Sequence, residues 1–210
     1  MQITFKVYRK DPEKDGKPGR SNYTVELQED ATVLDGLMKI RDEMDGTLAF
    51  RASCARGYCG ECMMRVNNSA RLACTAKVSA YTKKGPEIAL DPPRNVPVIK
   101  DLVFDWDAFM WNKIKTVTPW LEPTGESSDG ENLNPDAAIK DLPKVMSCYY
   151  CGMCDEGCTV LPVDFNFLGP AALTKAYRFV FDPRDKDTKE RLKILEQPKG
   201  IWDCVHCFEA

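Results

Sequence analysis

Apolar and polar residues alternate along Gln2–Arg9, with Ile3, Phe5 and Val7 on one side. That period of two predicts a strand with one wet face. Tyr23, Val25 and Leu27 repeat it, and residues 11–20 between them carry Pro12, Gly16, Pro18 and Gly19, a polar turn that makes the pair a hairpin with a long loop. The period then changes. Thr32 and Asp35 have the spacing of a capping box, and Val33, Leu37, Ile40 and Met44 fall on one helical face before Asp45-Gly46 stops the run. Strand patterning returns at Met63–Val66, at 77–81 and at 87–90.

Pro92, Pro93 and Pro97 interrupt the pattern. Beyond them residues 102–114 predict a helix rich in aromatics: Phe104, Trp106, Phe109 and Trp111. Such rings pack as core or as a contact that holds two halves in a fixed relation. Residues 123–135 read as a polar loop. From there on strand patterns vanish. Gly169-Pro170 opens a helix with proline at its first position and an apolar face of Leu173, Ala176, Tyr177 and Val180, and residues 186–195 form a second, charged helix. The fold class is therefore α+β. Residues 1–105 form a small sheet wrapped over one helix, a β-grasp arrangement, and residues 106–210 form an all-helical domain.

Composition narrows the picture. The chain has 210 residues, room for one large domain or two small ones. Lys and Arg number 29 against 32 Asp and Glu, a net charge of −3, without the concentrated basic surface that nucleic acid requires. No apolar run approaches the ~20 residues of a membrane helix, and MQITFKVYRK lacks the apolar core of a signal peptide. A cytoplasmic chain follows, with any membrane link made through a partner. Cysteine is the exception: ten residues, against a single His. In a reducing compartment clustered cysteines are metal ligands more often than disulfides.

Cys54, Cys59, Cys62 and Cys74 have the C-x4-C-x2-C spacing with a remote fourth cysteine that plant-type [2Fe–2S] sites use. Three thiolates come from one loop that wraps the cluster, and the fourth returns from a neighbouring strand. Gly57 and Gly60 let the backbone turn sharply and aim N–H groups at sulfur, and Arg51 and Arg56 could offset the cluster's negative charge. Structural zinc favours two closely spaced pairs, and only one close pair is present. Zinc or disulfides remain the alternatives.

Cys148, Cys151, Cys154 and Cys158 follow the C-x2-C-x2-C-x3-C run of bacterial ferredoxins. There the first three hold one cubane and the fourth serves another cluster. Thr159 stands where proline usually follows. Cys204 and Cys207 begin a third group that ends with the chain at Ala210. Two cubane-type clusters of this kind need about eight cysteines, or about seven if one is [3Fe–4S], and six follow residue 140, so the sequence is expected to be cut short at its C-terminal end. His206 is either a ligand or quinone contact, or a polar residue positioned by its neighbours.

The loop CARGYCGEC with LACTAK, the run CYYCGMCDEGC, and the segment LGPAALTKAYRFVFDPRDKDTKERL together resemble the iron–sulfur subunits of succinate dehydrogenases and fumarate reductases. The last segment holds no ligand and is an independent marker. The resemblance implies an electron-transfer subunit with three clusters and no substrate chemistry of its own: [2Fe–2S] on Cys54, Cys59, Cys62 and Cys74; [4Fe–4S] on Cys148, Cys151 and Cys154; and a third on Cys158 and Cys204, [3Fe–4S] in most members. It implies an FAD-containing flavoprotein partner, a membrane-anchor partner, and a peripheral position on the cytoplasmic side of the membrane. Two departures matter. The usual third group places its second cysteine where Ala210 stands, whereas Cys207 comes early. That resembles the branch with thiol-linked fumarate reductases and a cysteine-rich membrane-associated partner, where a second [4Fe–4S] is an option. The Trp that quinone-linked members carry after the second group is absent from TVLPVDFNFLGP, which leaves direct quinone contact open. Besides the thiol-linked enzyme, a zinc-stabilised interaction module is the alternative of another class.

Overall fold

A computed structural model describes residues 1–13, 17–94, 96–125, 136–140 and 142–207. The polar loop expected over 123–135 falls outside the described residues from 126 onward, and so does the position of Ala210. The strands are β1 (Gln2–Arg9), β2 (Gly19–Glu26), β3 (Met63–Val66), β4 (Ser69–Leu72), β5 (Glu87–Asp91), β6 (Val98–Lys100) and β7 (Val103–Phe104). The helices are α1 (Val33–Glu43), α2 (Asn112–Thr116), α3 (Asp136–Ile139), α4 (Leu142–Met146), α5 (Met153–Gly157), α6 (Gly169–Val180) and α7 (Thr188–Glu196). The N-terminal half is rich in sheet and the C-terminal half is helical. The chain divides into two units, Met1–Phe109 with Tyr149–Gly157, and Met110–Cys148 with Cys158–Ala210.

In the first unit five strands form one sheet in the order β2-β1-β5-β3-β4. β1 pairs with β2 antiparallel, Phe5 opposite Tyr23, and with β5 parallel, Phe5 opposite Ile88. The alternation of β1 turns Ile3, Phe5 and Val7 inward, where all three are buried. α1 buries Val33, Leu34, Gly36, Leu37 and Ile40. A Cβ on Gly36 would lie 2.5 Å from the Phe5 ring, so this helix rests on β1 because that position has no side chain. Thr32 caps α1 through its hydroxyl, and Asp35 answers to the Thr32 backbone. Met44 is a correction: it closes the helix as its C-cap and is exposed, since the face it was assigned to ends one turn earlier.

Two further expectations change. Residues 77–81 are not a strand but a 3₁₀ turn at Val78–Ala80. The backbone there bonds to the lead-in of α1, with Val33 N–H on Ala76 O at 2.8 Å and Val78 N–H on Ala31 O at 3.0 Å. Residues 102–114 are not one helix: β7 takes Val103–Phe104, and a π-helical turn begins only at Asp107. Asp105 accepts the Ala108 N–H at 3.1 Å, and a carboxylate at that place starts the turn.

A polar network ties the sheet to the approach of the first cysteine loop. Arg9 donates to Asp101 at 2.9 Å and to Asp45 at 2.5 Å, and Tyr23 donates to Asp45 at 2.6 Å. Buried Asp101 also accepts the Ala49 N–H at 2.9 Å. Hydroxyls of Thr47 and Tyr23 and the Arg9 guanidinium hold the Asp45 carboxyl well below the usual range.

In the second unit α2, α4 and α7 pack on α6. The buried face of α6 is Ala172, Ala176 and Phe179. It is turned from the expected face, since Leu173, Tyr177 and Val180 are only half-buried. Arg191 of α7 is 2% exposed and binds Asp185 through two bonds of 3.0 and 2.7 Å. It also donates to the carbonyls of Val117 and Trp120, at 3.2 and 2.7 Å.

Candidate cluster-binding site

The first cysteine loop owes its shape to left-handed backbone at Ala55, Gly57 and Gly60. It turns three N–H groups onto one sulfur: Arg56, Tyr58 and Cys59 donate to Cys54 Sγ at 3.5, 3.3 and 3.3 Å. These bonds pull the Cys54 thiol down to about 6, so its thiolate is the favoured form at neutral pH. A Cβ on Gly57 would lie 2.9 Å from the Thr75 side chain, so the loop sits against the chain segment that carries Cys74.

That segment is brought back by a hairpin. Val66 pairs with Ser69, and the two residues between them, Asn67 and Asn68, both have positive φ (46° and 74°), as a two-residue hairpin turn requires. Met63 then faces Leu72, and Ala73 N–H bonds to Cys62 O at 3.1 Å. The eleven residues between Cys62 and Cys74 are thus strand, turn and strand. Both thiols are buried. Burial pushes Cys62 up to about 12, with Cys74 and Cys59 beside it adding to the rise and the Cys74 backbone N–H opposing it. Arg51 pairs with Glu61 at 3.9 Å, and Arg56 Nε donates to Cys54 O at 3.3 Å.

Among the described residues no three His, Cys, Asp or Glu side chains gather tightly enough to hold one metal ion. A two-iron cluster asks for something else: four thiolates around a body larger than an ion. The donors present fit it. They are sulfur only, one of them collects N–H groups as a charged sulfur does, and Gly57 and Gly60, both at positive φ, let the loop turn without a side chain at those two positions.

The second run is divided: Cys151 and Cys154 belong to the first unit, Cys148 and Cys158 to the second. Cys151 lies against the first loop, since a Cβ on Gly60 would be 2.7 Å from Cys151 Cα. Gly152 (φ 73°) lies against the rings, where a Cβ would be 2.7 Å from Phe109 and 3.2 Å from Trp106. These two rings and Phe104 form a cluster with centroids 4.8 to 5.8 Å apart. Three of the four expected aromatics are therefore first-unit core, against which Gly152 packs. Trp111 lies in the second unit and is part-exposed. Glu156, 4% exposed, accepts from Arg94 N at 2.8 Å and Arg94 Nε at 2.9 Å, and Arg65 stands 3.4 Å away.

In the second unit Cys158 is buried with Leu161 and Phe167, and Val160, Leu173 and Cys204 pack against them. The ammonium of Lys175 lies within electrostatic reach of Cys148. His206 and Cys207 are exposed. Spacing did not reveal Arg94, Arg65, Glu156 or Lys175. The one available signal was the acidic pair Asp155-Glu156 inside a cysteine run, an odd place for carboxylates if they were solvated.

Comparison with known proteins adds independent findings. A family model described as a 2Fe-2S iron-sulfur cluster binding domain matches residues 4–111, and one described as a 4Fe-4S dicluster domain matches residues 144–209. The chain is 39% identical over 208 residues to a fumarate reductase iron-sulfur subunit of Mycobacterium tuberculosis (strain CDC 1551 / Oshkosh), covering 97% of this chain and 82% of the relative. Its fold matches a chain of the Mycobacterium smegmatis Sdh1 complex in the apo form, with a TM-score of 0.81 and 26% identity over 91% of this chain and 80% of that one. A hypothetical protein from Helicobacter pylori shares the fold at a TM-score of 0.57 and 20% identity, over 95% of this chain and 33% of that one.

Proposed function

The chain belongs to the iron–sulfur subunit family of fumarate reductases and succinate dehydrogenases, and from that membership we infer that it relays single electrons between an FAD-containing catalytic subunit and a quinone or membrane-anchor subunit. Cys54, Cys59, Cys62 and Cys74 hold [2Fe–2S]. Cys148, Cys151 and Cys154 hold [4Fe–4S]. Cys158 and Cys204, with Cys207, serve a third cluster, [3Fe–4S] or a second [4Fe–4S]. When bound, such clusters accept and release one electron at a time. The residues of this chain hold and insulate them. The N–H groups at Cys54 offset negative charge on sulfur, and Lys175 does so near Cys148. Buried Cys62, Cys74 and Cys158 keep water from their sides of the sites.

The observation that carries this reading is the return of Cys74 beside Cys62 across the Asn67-Asn68 turn, with Cys59 close by. It supports a β-grasp, plant-type ferredoxin domain over residues 1–105, while the dicluster match at 144–209 supports a bacterial-ferredoxin-like domain over 106–210. The boundary near 105 separates ligand sets, whereas packing joins Tyr149–Gly157 to the first unit. Dicarboxylate chemistry belongs to the flavoprotein. Among the described residues no helix is long and apolar enough to cross a membrane; the peripheral position on the cytoplasmic side, held by partners, is part of the same reading and rests on the family membership. Early Cys207 favours a second reading, the electron-input subunit of a thiol-linked fumarate reductase with a cysteine-rich partner.

Anaerobic purification tests both. A brown protein with iron, labile sulfide and a co-purifying flavoprotein supports an electron relay. A colourless zinc protein without sulfide overturns it. Reduction by a quinol or by a dithiol, measured with fumarate as acceptor, separates the two readings.

A further inference from the structure

The contacts of Tyr149–Gly157 with the first unit reach beyond the ligand assignment. Gly60 stands between Cys59 and Cys62, and its missing side chain lets the first loop touch Cys151, at 2.7 Å from the place of a Cβ to Cys151 Cα and 3.0 Å to its Cβ. The neighbour met there is backbone, which cannot swing aside as a side-chain tip can. At the other end of the same segment Glu156 is gripped by Arg94 through three bonds: backbone N–H to Oε2 at 2.8 Å, Nε to Oε1 at 2.9 Å, and Nη2 to Glu156 O at 2.7 Å. Arg65, from β3, adds an ion pair at 3.4 Å. Neither the glycine nor the clamp supplies a cluster ligand.

We propose that Gly60 and the Glu156–Arg94–Arg65 clamp are positioning residues that set the separation of the first two clusters. The proposal rests on the reading that Cys54–Cys74 and Cys148–Cys154 bind two clusters. Electron tunnelling falls steeply with distance, so a contact that removes one side chain's width of protein favours rapid transfer. The clamp keeps the contact closed: a carboxylate buried against two guanidinium groups is costly to pull apart once formed. Gly60 sets how near the segments can come, and Glu156 holds them there.

The test uses the purified, cluster-loaded complex. Gly60→Ala, Glu156→Gln and Arg94→Ala are compared with the parent, and Gly19→Ala serves as control because nothing lies within 4 Å of its added Cβ. Iron and sulfide content come first, then the spin–spin splitting between the reduced [2Fe–2S] and [4Fe–4S] centres, which weakens with the cube of their separation. The expected result is full iron content with weakened splitting in all three variants and parent splitting in Gly19→Ala. The Glu156→Gln/Arg94→Ala double variant is expected to lose no more than the worse single one, as partners in one contact do. Parent-like splitting in loaded Gly60→Ala and Arg94→Ala overturns the proposal. If Gly60→Ala loses its cluster, Arg94→Ala decides, because Arg94 lies outside both cysteine motifs. A parent protein that lacks either centre overturns the two-cluster reading itself, and the proposal with it, before any variant is compared.

Discussion

In the first unit the cysteines of the first group stand on one loop and at the two ends of a hairpin whose backbone is hydrogen-bonded into the sheet. In the second they stand between helices whose arrangement depends on side chains, above all the Asp185–Arg191 pair and the face of Ala172, Ala176 and Phe179. The first site closes within the span of Cys54 to Cys74 and needs only local chain reversal. The second joins Cys158 to Cys204 across two helices. A backbone-built site tolerates surface change and fails at its glycines and turn. A side-chain-built site fails at its buried ion pair.

The sharpest way to break this contrast is Arg191→Ala. It leaves Asp185 buried without its partner and is expected to cost about 3–5 kcal/mol. Thermal unfolding should show the second unit melting well before the first, and a single unshifted transition would refute the contrast. Gly36→Ala attacks the other unit. The new methyl group must displace the Phe5 ring, at about 1–3 kcal/mol, read as a shift in denaturant midpoint. Thr32→Ala removes the α1 cap and should cost about 1 kcal/mol with no change in the second unit.

The smallest effect is one of pH. The folded Asp45 carboxyl sits below its unfolded value. Its contribution is therefore complete above the ordinary carboxylate pKa of about 3.9 and is lost as pH falls through the lower folded value. Asp45→Asn should be less stable than the parent at neutral pH and should show a shallower loss below about pH 4, followed by chemical denaturation across the acid range.

Much of the first unit could be read from the chain because its signals are local. β1, β2 and the Thr32 cap follow from alternation and a capping box, and β3 and β5 from short apolar runs. β4 escaped because Ser69-Ala70-Arg71-Leu72 has neither β-branched nor aromatic residues; the Asn67-Asn68 pair was the readable clue. The strand expected over 77–81 failed because its backbone is claimed by the lead-in to α1. Cysteine spacing made the candidate ligands legible, since it reflects loop geometry. Gly60 against Cys151, and Glu156 between Arg65 and Arg94, were not legible. Each joins residues far apart in sequence, and no local period marks them.

The division of the second cysteine run bears on how the protein is made. Synthesis delivers the sheet, the hairpin and all four cysteines of the first group long before Tyr149–Gly157. Until residue 157 emerges, the patch formed by Gly60, Trp106, Phe109 and Arg94 stays uncovered. The nascent chain therefore passes through an interval in which the first loop has been synthesised while the segment that packs on its Gly60 is still being translated.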